Sequence, residues 1–290
     1  MQLLQVPGLE ESDPKESEKF SISMFDRYSQ YLIDLTFRQR REKKINQVNI
    51  IGYTPLSLGE ESHFFEIIDE LGKLGLEINC SPLEKIGLET YRKMSSAALN
   101  LVVSHEGLGL ARYMEIEYSI PYSLNVPVGL WGMRQLFKVL GEIPGLPQSL
   151  TSQERYAPTR KPQSGQSAVV IGEPLFASCM AACLLNDFGL NYVKTASLIK
   201  MDRRMEKVYQ EKSLSHVHLF EDKEALARWI EIIRPDIIVG DPLYQRLLGP
   251  GSAQYVSIPQ VGLSGSIYTG MDYEYIGKRG YDYLASFIAG

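Results

Sequence analysis

Three cysteines and four histidines are the side chains of this 290-residue chain best suited to hold a metal or move a proton. Cys179 and Cys183 fall four positions apart in the segment SAVVIGEPLFASCMAACLLNDFG (167–189), a spacing that puts both thiols on one face of a helix. Two thiolates are half a set, because zinc and iron–sulfur centres want about four ligands. Cys80, at the end of another apolar run, is a third candidate metal ligand, but no Cys-x-x-Cys pair or Cys/His zinc spacing completes a site. Free cysteine also packs as a small hydrophobe, and packing is the preferred reading of Cys179 and Cys183. His216 and His218 would share one face of a strand, and their plain reading is a solvent-facing edge.

His105 has more to offer. It stands between Ser104 and Glu106 at the end of an apolar run, with Gly107 and Gly109 just after it. An imidazole titrates near neutrality and can donate a proton, while glycines at a helix start let a ligand approach free backbone N–H groups. Two turns repeat one pattern, Gly172-Glu173-Pro174 and Gly240-Asp241-Pro242. Each acid can cap the helix that its proline begins, and each also stands where a ligand would be met. Ser264 closes the comparable segment 259–264. No GxGxxG loop, GxxxxGK[ST] loop or GxSxG elbow occurs, so nucleotide binding or serine hydrolysis by those routes has no support.

These residues need elements to position them. Residues 1–45 read as an N-terminal arm, in which Ile22, Phe25, Tyr28, Leu32 and Leu35 mark an amphipathic helix. From residue 46, apolar strand-like runs (48–53, 76–80, 99–104, 120–122) alternate with helical ones (59–74, 107–118, 127–140), and 83–94 is helical or turn-rich. Residues 145–166, rich in Pro, Ser, Gln, Thr and Arg, read as a linker. The alternation then resumes, with strands at 168–171, 192–198, 217–220, 236–240 and 255–258. Helices fall between them at 175–188, 201–211, 223–233 and 244–248, and a last helix runs from about 272 to 288. The pattern predicts an α/β chain of two Rossmann-like doubly wound parallel-sheet domains, 46–144 and 167–290, facing a crevice. Ligands in such sheets bind beyond the carboxyl ends of the strands. His105 is therefore the expected catalytic residue, with Ser104, Glu106, Glu173, Asp241 and Ser264 as expected ligand-binding residues. The turn 172–174 is expected across the crevice from 104–106.

The formal net charge of −5 leaves no basic footprint for general nucleic-acid binding, and the basic run 38–44 reads as a solvated helix end. Three cysteines make no disulfide framework, which fits a reduced, cytoplasmic setting. No signal-peptide pattern is visible, and no apolar run approaches the roughly 18 residues of a membrane span.

Several segments together resemble a known family. VNIIG (48–52), LGKLGLEINC (71–80), AALNLVV (97–103) and RYMEIEYSIP (112–121) are similar to the middle domain of nitrogenase component 1-type oxidoreductases. That family includes the nitrogenase molybdenum–iron subunits and the dark-operative protochlorophyllide and chlorin reductases. GEPLFASCMAACLLNDFGL (172–190), RPDIIVGDP (234–242), Ile258-Pro259 and the C-terminal helix with Gly277 and Gly280-Tyr281 extend the likeness to about 48–289, and QVPGL (5–9) looks like the hand-over from the family's first domain. The resemblance implies a subunit to which an ATP-driven iron–sulfur reductase passes electrons, with substrate reduced between domains. On this resemblance, the family's first, cluster-binding domain is expected to have no counterpart in these residues. Where the molybdenum–iron α subunit has a cysteine and a histidine holding its cofactor, the resemblance places Val103, flanked by Ser104, and Ser264, groups that bind iron or molybdenum poorly.

The expectation is thus a nitrogenase component 1-like subunit or fragment without an iron–molybdenum cofactor of its own. An iron–sulfur cluster is expected only with the missing domain or a partner subunit. Its expected partners are a second component 1-like subunit, in a homo- or heterodimer, and an iron–sulfur reductase. A non-catalytic two-lobed module for a small ligand or a scaffold, and a two-lobed nucleotide-sugar enzyme, are the competing readings.

Overall fold

The computed structural model describes residues 42–53, 58–59, 61–80, 93–143, 156–157, 165–201, 203–212, 214–248, 251, 253–264 and 272–288. The expected arm helix, the 83–92 part of the turn-rich stretch and most of the 145–166 linker lie outside them, as does the side chain of Cys80.

The first sheet is built from β1 (Lys44–Ile51), β2 (Glu77–Cys80), β3 (Ala97–Val102) and β4 (Tyr122–Leu124), in the order β2-β1-β3-β4. All its pairs are parallel. Parallel neighbours need crossovers, supplied by α1 (Phe65–Lys73), which follows a 3-10 turn at Glu61–Phe64, and α2 (Leu108–Tyr118), which follows one at His105–Gly107. Helix α3 (Gly129–Gly141) leads out of β4. Asn49, Asn79 and Asn100 sit buried on neighbouring strands, with Asn49 Nδ2 donating to Asn100 Oδ1 at 2.7 Å and to Met94 O at 2.9 Å. The ladder thereby satisfies its own amides and ties the 94–96 turn to the sheet.

The second sheet runs β7-β6-β5-β8-β9, again all parallel. Its strands are β5 (Ser167–Ile171), β6 (Tyr192–Ser197), β7 (Val217–Leu219), β8 (Ile237–Gly240) and β9 (Gln254–Ser257). Between them run α4 (Pro174–Asp187), α5 (Arg203–Glu211), α6 (Lys223–Ile233) and α7 (Pro242–Leu248). A short α8 (Val261–Ser264) and the closing α9 (Gly277–Ile288) follow β9. Strand β5 is buried along its whole length, and α4 on all but a few positions, because both are apolar with no polar face to turn to water. Two sheets with their crossover helices give the predicted two-domain α/β fold.

Three details depart from the sequence reading. Strand β1 begins at Lys44, so the basic run ends inside a strand whose first three residues are exposed. Helix α8, which carries Ser264, had no periodic signal. The last helix starts at Gly277 and not near 272, because Tyr273 and Tyr275 are drawn edge-on against His63, with centroids 4.6 and 5.0 Å away. Ile276 bridges to Val128 and Gly129, and Gly277, at φ +55°, turns the chain into the helix. Helix α9 then packs on α3, so the chain's end lies against its first half. Glu66 completes this return by accepting from the backbone N–H of Lys278 at 2.7 Å, capping α9 from 212 residues away.

Candidate functional site

The turn after β5 is shaped by its own residues. Glu173 is the N-cap of α4, and its Oε2 accepts from the Phe176 N–H at 2.8 Å, with Pro174 opening the helix. Its other oxygen leaves the lobe. Oε1 accepts from the backbone N–H of His105 at 2.8 Å and lies 2.7 Å from His105 Nδ1. The turns 172–174 and 104–106, expected to face each other across a crevice, therefore touch, and a carboxylate that is 1% exposed is the joint.

Burial alone would push the Glu173 carboxyl up, but the His105 hydrogen bond and charge, with the N–H groups of Phe176 and His105, outweigh it and hold the group below its usual value. An ionised carboxylate only accepts, so His105 Nδ1 carries a proton and points at Glu173. This fixes the orientation of the ring, as in a carboxylate–histidine dyad. Glu106, half-buried beside it, has its carboxyl raised by burial, an effect that Glu173 adds to and His105 opposes. Ser104 is fully buried and donates to Gly52 O at 2.5 Å. Gly52 takes φ +88°, and a Cβ there would lie 2.8 Å from Gly107 N, so the ends of β1 and β3 meet only because both residues are glycine.

Asp241 and Ser264 form a second cluster. Asp241 Oδ1 accepts from Leu243 N–H at 2.8 Å, and Oδ2 accepts from Gln260 N–H at 2.6 Å and from Ser264 Oγ at 2.9 Å. One carboxylate thus shapes the β8–α7 turn and anchors α8 to it. The structure brings His105 and Glu173 together, with Ser104 and Glu106 beside them, and joins Asp241 to Ser264. Gln260, which the sequence reading passed over, is buried with its N–H on Asp241 and its side chain close to the turn after β5, where a Cβ on Gly172 would stand 3.0 Å from its Nε2. No spacing in the chain signalled Gln260.

The cysteines occupy a different part of the joint. Cys179 Sγ accepts from Val126 N–H at 3.4 Å, and burial pushes its thiol up to about 12. Burial, with Asp187 beside it, pushes the Cys183 thiol well above its usual value, and its Sγ donates to Asp187 Oδ2 at 3.5 Å. Thiols held protonated and already hydrogen-bonded do not fit the thiolate set of a zinc or iron–sulfur centre. No group of three or more His, Cys, Asp or Glu among the described residues could hold a metal ion. Asp187 also accepts from Trp131 N–H at 2.8 Å and from Arg134 Nη2 at 2.8 Å, a buried ion pair between α4 and α3. His216 is exposed and His218 half-buried, their rings edge-on at 5.0 Å, with His218 tilted on Trp229.

The family model of nitrogenase component 1 type oxidoreductases matches residues 12–267. The chain is 25% identical over 210 residues to a light-independent protochlorophyllide reductase subunit of Gloeothece citriformis and 26% identical over 210 residues to the corresponding one of Synechocystis sp.. Each match takes in 67% of this chain but only 41% of the relative, so the chain spans about two fifths of the length of these curated proteins. A solved structure of nitrogenase Cp1 at pH 6.5 superposes with a TM-score of 0.64 at 13% identity, covering 91% of this chain and 63% of that one. A second, at pH 5, gives 0.61 at 16% identity, with 91% and 60% covered. These structures share the fold. Among the described residues, no helix is long and apolar enough to cross a membrane.

Proposed function

The chain belongs to the nitrogenase component 1 type oxidoreductase family, and from that premise we propose that it is the two-domain body of a reductase subunit that holds no iron–molybdenum cofactor of its own. It receives electrons through clusters carried by another domain or by a partner subunit of the same family, reduced in turn by an iron–sulfur protein. The observation that carries this reading is what has become of the two positions that the resemblance aligns with cofactor ligands. Val103 is fully buried in the hydrophobic core, its N–H bound to Ile51 O at 2.9 Å. Ser264 spends its hydroxyl on Asp241. Neither is a soft or imidazole donor, and each is committed to holding its own turn.

Within that body, His105 is the proposed proton donor, steered by Glu173, to a substrate beyond the ends of β1 and β3. Ser104, Glu106, Asp241 and Ser264 shape that surface. The closed joint weighs against a hinged two-lobed binding module, since His105–Glu173 and Arg134–Asp187 tie the lobes without leaving space between the tied turns. Domain limits of 46–144 and 167–290 remain part of the proposal, with α9 returning to the first unit. The test is anaerobic reconstitution of the purified chain with iron and sulfide, followed by metal analysis and visible absorption. A colourless product at background iron supports the reading, and a stoichiometric chromophoric cluster on the chain alone overturns it.

A further inference from the structure

Strand β7 forms one edge of the second sheet, and the histidines on it take no part in the strand-end site. His216 and His218 flank Val217, which is buried, so the alternation of the strand turns both imidazoles to the other face. The chain holds both in place. Thr195 Oγ1 donates to His216 O at 2.6 Å, which fixes the backbone of the first. The second stands in register with Ala196 of β6, and its ring lies 5.0 Å from the Trp229 ring of α6. Phe220 backs Trp229 in turn, with centroids 5.2 Å apart. His216 is exposed, and its ring turns within a broad χ2 well.

The separation of the rings has chemical meaning. A zinc–imidazole bond of about 2.0–2.1 Å puts the ring centre about 3.2 Å from the metal. Two rings on one cation then stand about 4.5 Å apart at a right angle and about 5.2 Å apart at the tetrahedral angle. The observed centroids are 5.0 Å apart, inside that interval, with the ring planes at 83°. The inner donor is also in the right state. Burial, His216 and the Lys194 ammonium all lower the His218 pKa, so this imidazole is neutral near pH 7 with a lone pair to offer. Among the described residues, no Asp, Glu or Cys joins the two rings as a third ligand. Lys194 Nζ, 5.9 Å from the Trp229 centroid, adds a positive charge nearby. Selection therefore falls to imidazole nitrogen alone, which suits zinc, nickel and copper but not magnesium or calcium.

We propose that His216 and His218 form a two-imidazole chelate for a divalent transition cation of the zinc, nickel and copper class, with water completing its coordination at the sheet edge. The site shares no residue with the strand-end cluster, so it stands whether or not the redox reading does.

Isothermal titration of zinc chloride into the full-length chain, stripped of metal with a chelator, tests the site. One zinc per chain should bind saturably, and magnesium should give no binding. His216→Gln, at an exposed position, should weaken zinc by more than about tenfold, the least that losing even a group behind a ligand costs, with an unchanged circular dichroism spectrum. Copper(II) gives a second readout. Electron spin echo modulation should count two imidazoles on the parent and one on His216→Gln, and copper should quench Trp229 in the parent more than in the variant. Absence of saturable zinc binding, magnesium binding as tightly as zinc, or an unchanged affinity in His216→Gln would overturn the proposal. His218→Gln should lose zinc as well; if it does not fold, because its ring packs on Trp229, the His216 variant and magnesium decide the matter alone.

Discussion

Replacing Arg134 by methionine keeps an unbranched apolar stem and removes the positive charge hydrogen-bonded to the carboxylate of Asp187, which is 0% exposed. Removing one partner of a buried ion pair costs about 3–5 kcal/mol, because the remaining charge is left without its counterion. Asp187 keeps the Trp131 N–H and the Cys183 thiol, so the lower end, about 3 kcal/mol, is the expected loss. For a chain of this size that is a fall of roughly 6–12 °C in melting temperature. The pH dependence follows from Asp187 itself, whose carboxyl burial raises above its usual value. A raised acid contributes stability in its protonated form, and that contribution is lost as pH rises through the folded pKa. Loss of Arg134 raises the group further, so the deficit should grow as pH rises from the ordinary carboxylate range through the raised folded pKa. The double variant Arg134→Met/Asp187→Asn, with no charge left to compensate, should recover more than half of the loss. Scanning calorimetry of the three proteins is the assay. A single variant that melts within about 1 °C of the parent, or a double variant no better than the single, would refute the reasoning.

Other consequences are as concrete. Gly129→Ala should destabilise severely, since the residue sits at φ +59° and a Cβ would stand 2.4 Å from Cys183 Sγ; loss of soluble yield or of cooperative melting reads it out. Cys179 and Cys183 should resist iodoacetamide in the native protein at mildly alkaline pH and react only after denaturant, by mass spectrometry, because burial holds both thiols protonated. Asp241→Asn keeps the shape but weakens three hydrogen bonds, so hydrogen exchange should rise in 260–264, at a global cost of about 1–3 kcal/mol.

The sequence was most legible where the determinants are local. β5 and α4 can be read directly, because an apolar run, a Gly-Glu-Pro turn and a capping acid all lie within a few residues and agree. The likeness to component 1 proteins rests on the same strand–turn–helix units. What was hidden is what joins distant residues. Glu173 as a cap is visible in sequence, but its second oxygen binding His105, 68 positions away, is not. The residues 272–276 carry a pattern compatible with helix, yet tertiary packing of two tyrosines on His63 overrides it. Helix α8 is too short to show a period and exists because Asp241 holds it.

The joint between the turns is tested most directly by the protonation of one ring. In the folded chain labelled with nitrogen-15 histidine, long-range proton–nitrogen correlation assigns each imidazole nitrogen, with His105→Gln identifying the signal. The structure predicts His105 protonated on Nδ1 with that proton slow to exchange, and Glu173→Gln losing this signature. A ring protonated on Nε2 alone in the parent, or a signal indifferent to Glu173→Gln, would contradict the dyad and with it the proton-donor role proposed for His105.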